Sequence, residues 1–145
     1  LDFPKFTLVK IQNMNDSRAL DLITLLLRLA FGSLMLLQHG LPKLEKLFWG
    51  DPAQFADPLG IGPAPSLALV VFAEFLCSIL LMLGLFTRLA VVPLLIAMLV
   101  AVFVINGPNP LADKELGLLY LAAFLALLIG GAGYYSLDRM IKKPL

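Results

Sequence analysis

The sequence predicts an all-α integral membrane protein: a bundle of four membrane-spanning helices, with a short interfacial helix after the first span. Three observations predict it. Apolar stretches over residues 20–37, 67–85, 89–105 and 116–131 fill most of the chain. A hydrocarbon core about 30 Å thick needs on the order of 20 helical residues; three stretches approach that length, and the last reaches it with Glu115 and Tyr134 in the interfacial zones. The run Leu89-Ala-Val-Val-Pro-Leu-Leu-Ile-Ala-Met-Leu-Val-Ala-Val-Phe-Val-Ile105 has no polar face, whereas a helix of a soluble domain keeps one at a 3.6-residue period. Finally, 60% of residues are hydrophobic and 14% charged, too few charges to coat a soluble domain of 145 residues.

Taken in order, Asn15-Asp-Ser-Arg18 offers capping side chains ahead of the first span. Gln38-His-Gly-Leu-Pro42 is expected to end that span, because Gly and Pro punctuate a helix end. Leu44-Glu-Lys-Leu-Phe-Trp49 mixes apolar and charged residues and suits a short helix lying in the interface. Pro58, Gly60, Gly62, Pro63 and Pro65 enforce an irregular approach to the second span. Gly84-Leu-Phe-Thr-Arg88 is a tight turn, so the second and third spans are antiparallel neighbours. Pro93 falls near the first turn of the third span, where its missing donor costs little. Asn106-Gly-Pro-Asn-Pro110 stops that span, and Gly130-Gly-Ala-Gly133 releases the chain from the fourth.

The length fits one domain; residues 16–140 hold the expected spans and their loops, and residues 1–15 precede them. A net charge of +1 without a basic cluster gives no footprint for nucleic acid. Cys77 is the only cysteine, which excludes an intrachain disulfide and CxxC redox chemistry. Buried in apolar surroundings, it reads as a small core residue. The first apolar stretch has no small-residue cleavage site after it and reads as a retained span. Lys5, Lys10, Arg18, Arg88, Arg139, Lys142 and Lys143 fall on one side of such a bundle, against Lys43, Lys46 and Lys114 on the other. That bias places both termini in the cytoplasm.

Arg28 and Glu74 are the charges that need explaining, since a charge at a helix centre costs about 2.5–3.5 kcal/mol. At about 1.5 Å per residue, Arg28 lies roughly 12 Å and Glu74 roughly 18 Å from the inner ends of their spans. An arginine side chain covers that difference, so an Arg28–Glu74 pair inside the bundle is expected. It serves either as glue between spans one and two or as part of a polar ligand site. Asp21, Arg28, Gly32, Met35 and His39 form one stripe on span one at about 100° per residue. If the bundle holds a small molecule, it is expected to enter from the outer side and sit there, between spans one and two, in room left by Gly32. The candidate pocket comprises His39, Arg28, Glu74, Lys43, Asn106 and Glu115, the last two ending and beginning spans on the His39 side. One histidine without neighbouring ligands does not make a metal site.

Arg28-Leu-Ala-Phe-Gly32, His39-Gly-Leu-Pro-Lys43, Glu74 and Leu83-Gly-Leu-Phe-Thr-Arg88 in this order resemble the DoxX family of small membrane proteins. So do Glu115-Leu-Gly-Leu-Leu-Tyr120 and Gly131-Ala-Gly-Tyr-Tyr-Ser-Leu-Asp138. The resemblance implies that Arg28, His39, Lys43, Glu74, Arg88, Glu115 and Asp138 occupy the family's recurrent polar positions. Asn106 departs from the pattern, where members often carry histidine. The family includes subunits of thiosulfate:quinone oxidoreductase and proteins associated with membrane oxidoreductase assemblies.

The leading expectation is therefore an accessory membrane subunit of a larger respiratory or redox complex, without a covalently bound cofactor of its own. The alternative is a quinone-reactive subunit, with a quinone held by an apolar slot and a few hydrogen-bonding groups. A small transporter is disfavoured, since no inverted repeat is visible. The expected partners are the lipid bilayer and other membrane subunits, in a bacterial or archaeal cytoplasmic membrane.

Overall fold

Long apolar runs favour helix because leucine, alanine and methionine lose little freedom in it, and in lipid a helix satisfies every backbone group internally. A computed structural model describes the backbone of residues 3–142 and the side chains of residues 17–141. Seven α-helices are present among them: α1 (Phe3–Met35), α2 (Leu41–Trp49), α3 (Pro63–Val71), α4 (Cys77–Leu83), α5 (Thr87–Leu99), α6 (Leu111–Gly130) and α7 (Leu137–Lys142). Wider π-helical turns at Leu36–Gly40 and Phe72–Leu76 join α1 to α2 and α3 to α4, and a third, Val100–Ile105, extends α5.

Three continuous helices are long and apolar enough to cross a membrane: Ser17–Trp49, Pro63–Leu83 and Thr87–Ile105. Less than half of each apolar window is buried, while large apolar residues such as Leu22, Leu26, Leu89, Ile96 and Phe103 are exposed. Outward apolar faces on that scale belong in a bilayer, and the chain is a membrane protein. The fourth long helix, α6, places Asp113, Lys114 and Glu115 near its start. It packs on α5 and α1, while α4 packs on α1 and α5. Their common core contains the fully buried Met35, Leu81, Val91, Leu94, Phe124 and Leu127.

Two expectations about span one are corrected. Its helix passes through residues 15–18 without a break, so Asn15-Asp-Ser-Arg18 does not begin it. Nor does it stop at Gly40, which is right-handed helical at φ −66°, ψ −51°. The Leu41 N–H closes a six-residue turn, one residue wider than an α-turn, on the Leu36 carbonyl. Gly40 serves contact rather than termination: a Cβ there would lie 2.6 Å from the Glu74 carbonyl oxygen. The expected interfacial helix is therefore the continuation of span one, not a separate piece. Its end is open, with Trp49 81% exposed, as suits an aromatic at an interface.

Span three begins at Thr87, so Pro93 lies inside α5 rather than in its first turn. The turn between spans two and three is as tight as expected. Gly84 takes φ +68°, and Phe86 is the one described non-glycine residue with positive φ, at +48°. Asp57 organises the entry to α3 by accepting from the N–H groups of Ile61 (3.1 Å) and Gly62 (2.8 Å) and from the Ser66 hydroxyl (2.7 Å). The Ser66 bond first, then the backbone donors, holds this half-buried carboxylate below its usual range.

Candidate functional site

Side chains on a helix tilt toward its N-terminus, and that tilt sorts the polar residues of span one into two groups. Arg28 falls toward the end holding the 84–86 turn. Lys43, on the continuation of the same helix, falls back from the opposite end into the bundle. The expected Arg28–Glu74 pair is therefore not formed.

Arg28 is 1% exposed and fully committed to backbone carbonyls. Its Nε donates to Leu81 (3.0 Å) and Nη2 to Met82 (3.2 Å), both in the last turn of α4. Nη1 donates to Ala132, and both terminal nitrogens donate to Tyr135 at 3.0 Å. One guanidinium thus terminates α4 and fixes the chain after α6, a task its five donors in a rigid fork suit. Gly84 leaves space for it, since a Cβ would lie 2.7 Å from Nη2.

Asp138 completes this knot by accepting from the N–H groups of Phe86 (2.7 Å) and Thr87 (3.0 Å), which caps α5 from α7 and holds the left-handed Phe86. The Asp138 N–H donates to the Gly84 carbonyl at 2.9 Å. Asp21 accepts from the Tyr134 N–H at 2.8 Å, and Arg88 donates to the Ile129 carbonyl at 3.3 Å near the end of α6. Arg28, Arg88 and Asp138 are joints of the scaffold.

The remaining stripe of span one is packed rather than open. Gly32 sits against Met82, with a Cβ 2.7 Å from its Cγ, and Met35 is fully buried. The expected ligand space between spans one and two is thus filled by side chains, because glycine there admits span two itself.

A different group gathers toward the opposite end. Lys43 donates to Glu74 Oε2 at 2.5 Å, with Glu74 2% exposed. His39 lies one helical turn before Lys43, close enough to feel both charges, and packs edge-on against Tyr120 with ring centroids 5.8 Å apart. Tyr120 in turn meets Phe31 and Phe124, and it too feels Glu74. His39 and Gly40 belong to the first π segment and Glu74 to the second, and the two segments pack on each other. Such turns are frequent at functional sites.

Beside the Lys43–Glu74 pair lies a cavity of about 280 Å³. Leu69, Phe72, Ala73 and Glu74 form one wall, and Pro93, Ile96, Ala97 and Ile105 the other, so it lies between spans two and three. Phe55, Pro58 and Leu59 from the loop after α2 cover one end. Its lining is apolar apart from Lys43, Glu74 and Ser66, and Ser66 is committed to Asp57.

Of the six expected pocket residues, the fold brings together His39, Lys43 and Glu74. Arg28 belongs to the knot. Asn106 ends span three, donating to the Ala101 carbonyl (3.0 Å) and accepting from Asn109 (3.1 Å). Glu115 is exposed on α6 in a shallow depression with Leu111 and Leu119. Tyr120 and the cavity walls were missed. The aromatic spacing of Tyr120 and Phe124 was visible in the sequence, but the π turns that aim the walls have no composition signal. Among the described residues, no group of three or more His, Cys, Asp or Glu side chains gathers as a metal would require. Cys77 lies in the core.

An all-helical chain with membrane-spanning helices, a knot of capped helix ends and a polar pair beside an apolar slot defines a small polytopic membrane protein. This one belongs to the DoxX family, whose model matches residues 23–107. The match includes Arg28, His39, Lys43, Glu74 and Arg88, whereas Glu115 and Asp138 lie beyond it. No curated protein and no solved structure matches the chain.

Proposed function

We propose that the chain is a four-crossing membrane subunit that holds a lipophilic small molecule of the quinone class in the cavity beside Lys43 and Glu74. The observation that carries this reading is the slot itself: apolar walls with one polar pair at their margin suit a ring or tail with a compact polar head. The DoxX resemblance to subunits of quinone-reducing assemblies supports the same chemistry. His39 and Tyr120 pack on each other outside the cavity lining, and His39 is the side chain whose type changes charge near neutral pH.

In this reading α6 is the fourth crossing, and the Lys/Arg bias puts the end with the 84–86 turn and both termini in the cytoplasm of a bacterial or archaeal cell. A single cysteine at Asp57, in a Cys77→Ala background, should then react with an impermeant reagent from outside intact cells. Protection there with reaction at a cysteine placed on Arg139 would reverse the topology.

Filling the slot tests the function directly. Ala97→Phe puts a ring into the cavity without touching a charge. Binding of a decyl-tailed benzoquinol to the chain in lipid nanodiscs should weaken at least tenfold, with the elution profile of the folded protein kept. Unchanged binding by the Ala97→Phe protein would move the ligand elsewhere or remove it.

One observation favours the accessory-subunit reading. The backbone helix of α1 starts at Phe3, ahead of the apolar stretch that opens at Leu20. Such an arm suits contact with another subunit, which co-purification from the native membrane would identify.

A further inference from the structure

Glu74 is nearly inaccessible yet only half used. Its Oε2 accepts from Lys43, but Oε1 accepts from no described residue. The Lys43 ammonium has three N–H groups and donates one of them to a described partner. Both residues line the cavity. An acceptor on so buried a residue as Glu74 is normally hydrogen-bonded, while the Lys43 side chain keeps 27% exposure. The wall therefore presents a bare acceptor beside bare donors, within a pair whose charges already cancel.

That arrangement discriminates among head groups. An anion would have to draw Lys43 away from Glu74 and leave a buried carboxylate alone, and a cation would strand Lys43 in the same way. A head with acceptors only satisfies Lys43 but sets its lone pairs against Glu74 Oε1. A hydroxyl does both: its O–H donates to the carboxylate and its oxygen accepts from the ammonium.

The size and the rim determine the rest of the ligand. At about 280 Å³, the cavity lies at the small end of ligand sites, enough for a ring with the start of a tail. Leu69, Phe72, Ile96 and Ile105 on its walls are 46–57% exposed. On a membrane-spanning segment that exposure faces lipid, so the tail leaves sideways between α3 and α5.

Resting on the reading that the cavity holds a lipophilic molecule, we infer that it selects an uncharged hydroxyl-bearing head, an alkylphenol or quinol-type ring. That head bridges Glu74 and Lys43 and enters from the bilayer rather than from water.

Three probes with one tail test it in nanodiscs: 4-octylphenol, its methyl ether 4-octylanisole, and 4-octylbenzoate. The Ala97→Phe protein serves as the blank for lipid partitioning. The phenol should bind at least tenfold tighter than the anisole, with the benzoate weakest. In Glu74→Gln, Lys43 loses its counter-charge, and the benzoate should become the tightest of the three. Should that variant fail to fold, the charge-free pair Lys43→Met with Glu74→Leu should bind phenol and anisole alike. Equal binding of phenol and anisole by the native chain would overturn the head selection while leaving the cavity reading intact. A native preference for the benzoate would likewise overturn it, and absence of binding by every probe would remove both.

Discussion

Arg28→Leu is expected to abolish recovery of folded protein, the largest effect of any single substitution in this chain. The guanidinium is the described partner of the carbonyls of Met82, Ala132 and Tyr135, and it shares that of Leu81 with the Gly84 N–H. A fully buried carbonyl left without a donor costs about 1–3 kcal/mol, and these three, whose bonds are part-buried, cost less than that each. The loss of the charge-assisted bonds themselves comes on top. Because the same group terminates α4 and fixes the chain after α6, the damage spreads to both. Arg28→Lys should not rescue, since a single ammonium cannot span carbonyls reached by three separate nitrogens. Size-exclusion profiles in mild detergent and thermal unfolding in nanodiscs would read the effect. A lysine variant as stable as the native chain would show that the knot does not depend on the fork.

Breaking the Lys43–Glu74 pair from one side should be nearly as harmful. Lys43→Met leaves the Glu74 carboxylate 2% exposed and unpaired, and removal of one partner from a buried pair costs about 3–5 kcal/mol. The lower end applies, because the Lys43 side chain keeps 27% exposure and solvent reaches it. Adding Glu74→Leu should then recover stability, because two apolar side chains leave no orphan charge. The single variant should melt well below the double. If the double proved the less stable, the pair would be a net stabiliser and not a charge kept for binding.

The two expectations differ in kind. Arg28 carries a scaffold load and has no unused donor of consequence, whereas Glu74 and Lys43 keep capacity that the fold does not consume. A binding defect in an otherwise folded chain is therefore expected from the Lys43–Glu74 end, and misfolding from the Arg28 end.

The membrane character, the helical class, the tight turn at Gly84 and the stop at Asn106 were all legible in the sequence by itself. They follow from local chemistry: runs without a polar face, residues that suit positive φ, and prolines that deny a donor. So was the need of Arg28 and Glu74 for partners, since a charge in an apolar run demands one whatever the fold. Which partner each takes was decided only by the tertiary structure. Reading Gly40-Leu-Pro42 as a helix end placed Lys43 in a loop, and Arg28 then stood as the natural match for Glu74. The helix continues because Gly40 packs against the Glu74 backbone and a wider turn accommodates Pro42, and neither effect is local in sequence. Continuity brings Lys43 within reach of Glu74, and the N-terminal tilt of side chains sends Arg28 the other way. The slot was hidden for the same reason: it lies between spans two and three, whose facing residues are apolar, and space between apolar walls depends on how whole helices pack rather than on any residue in them.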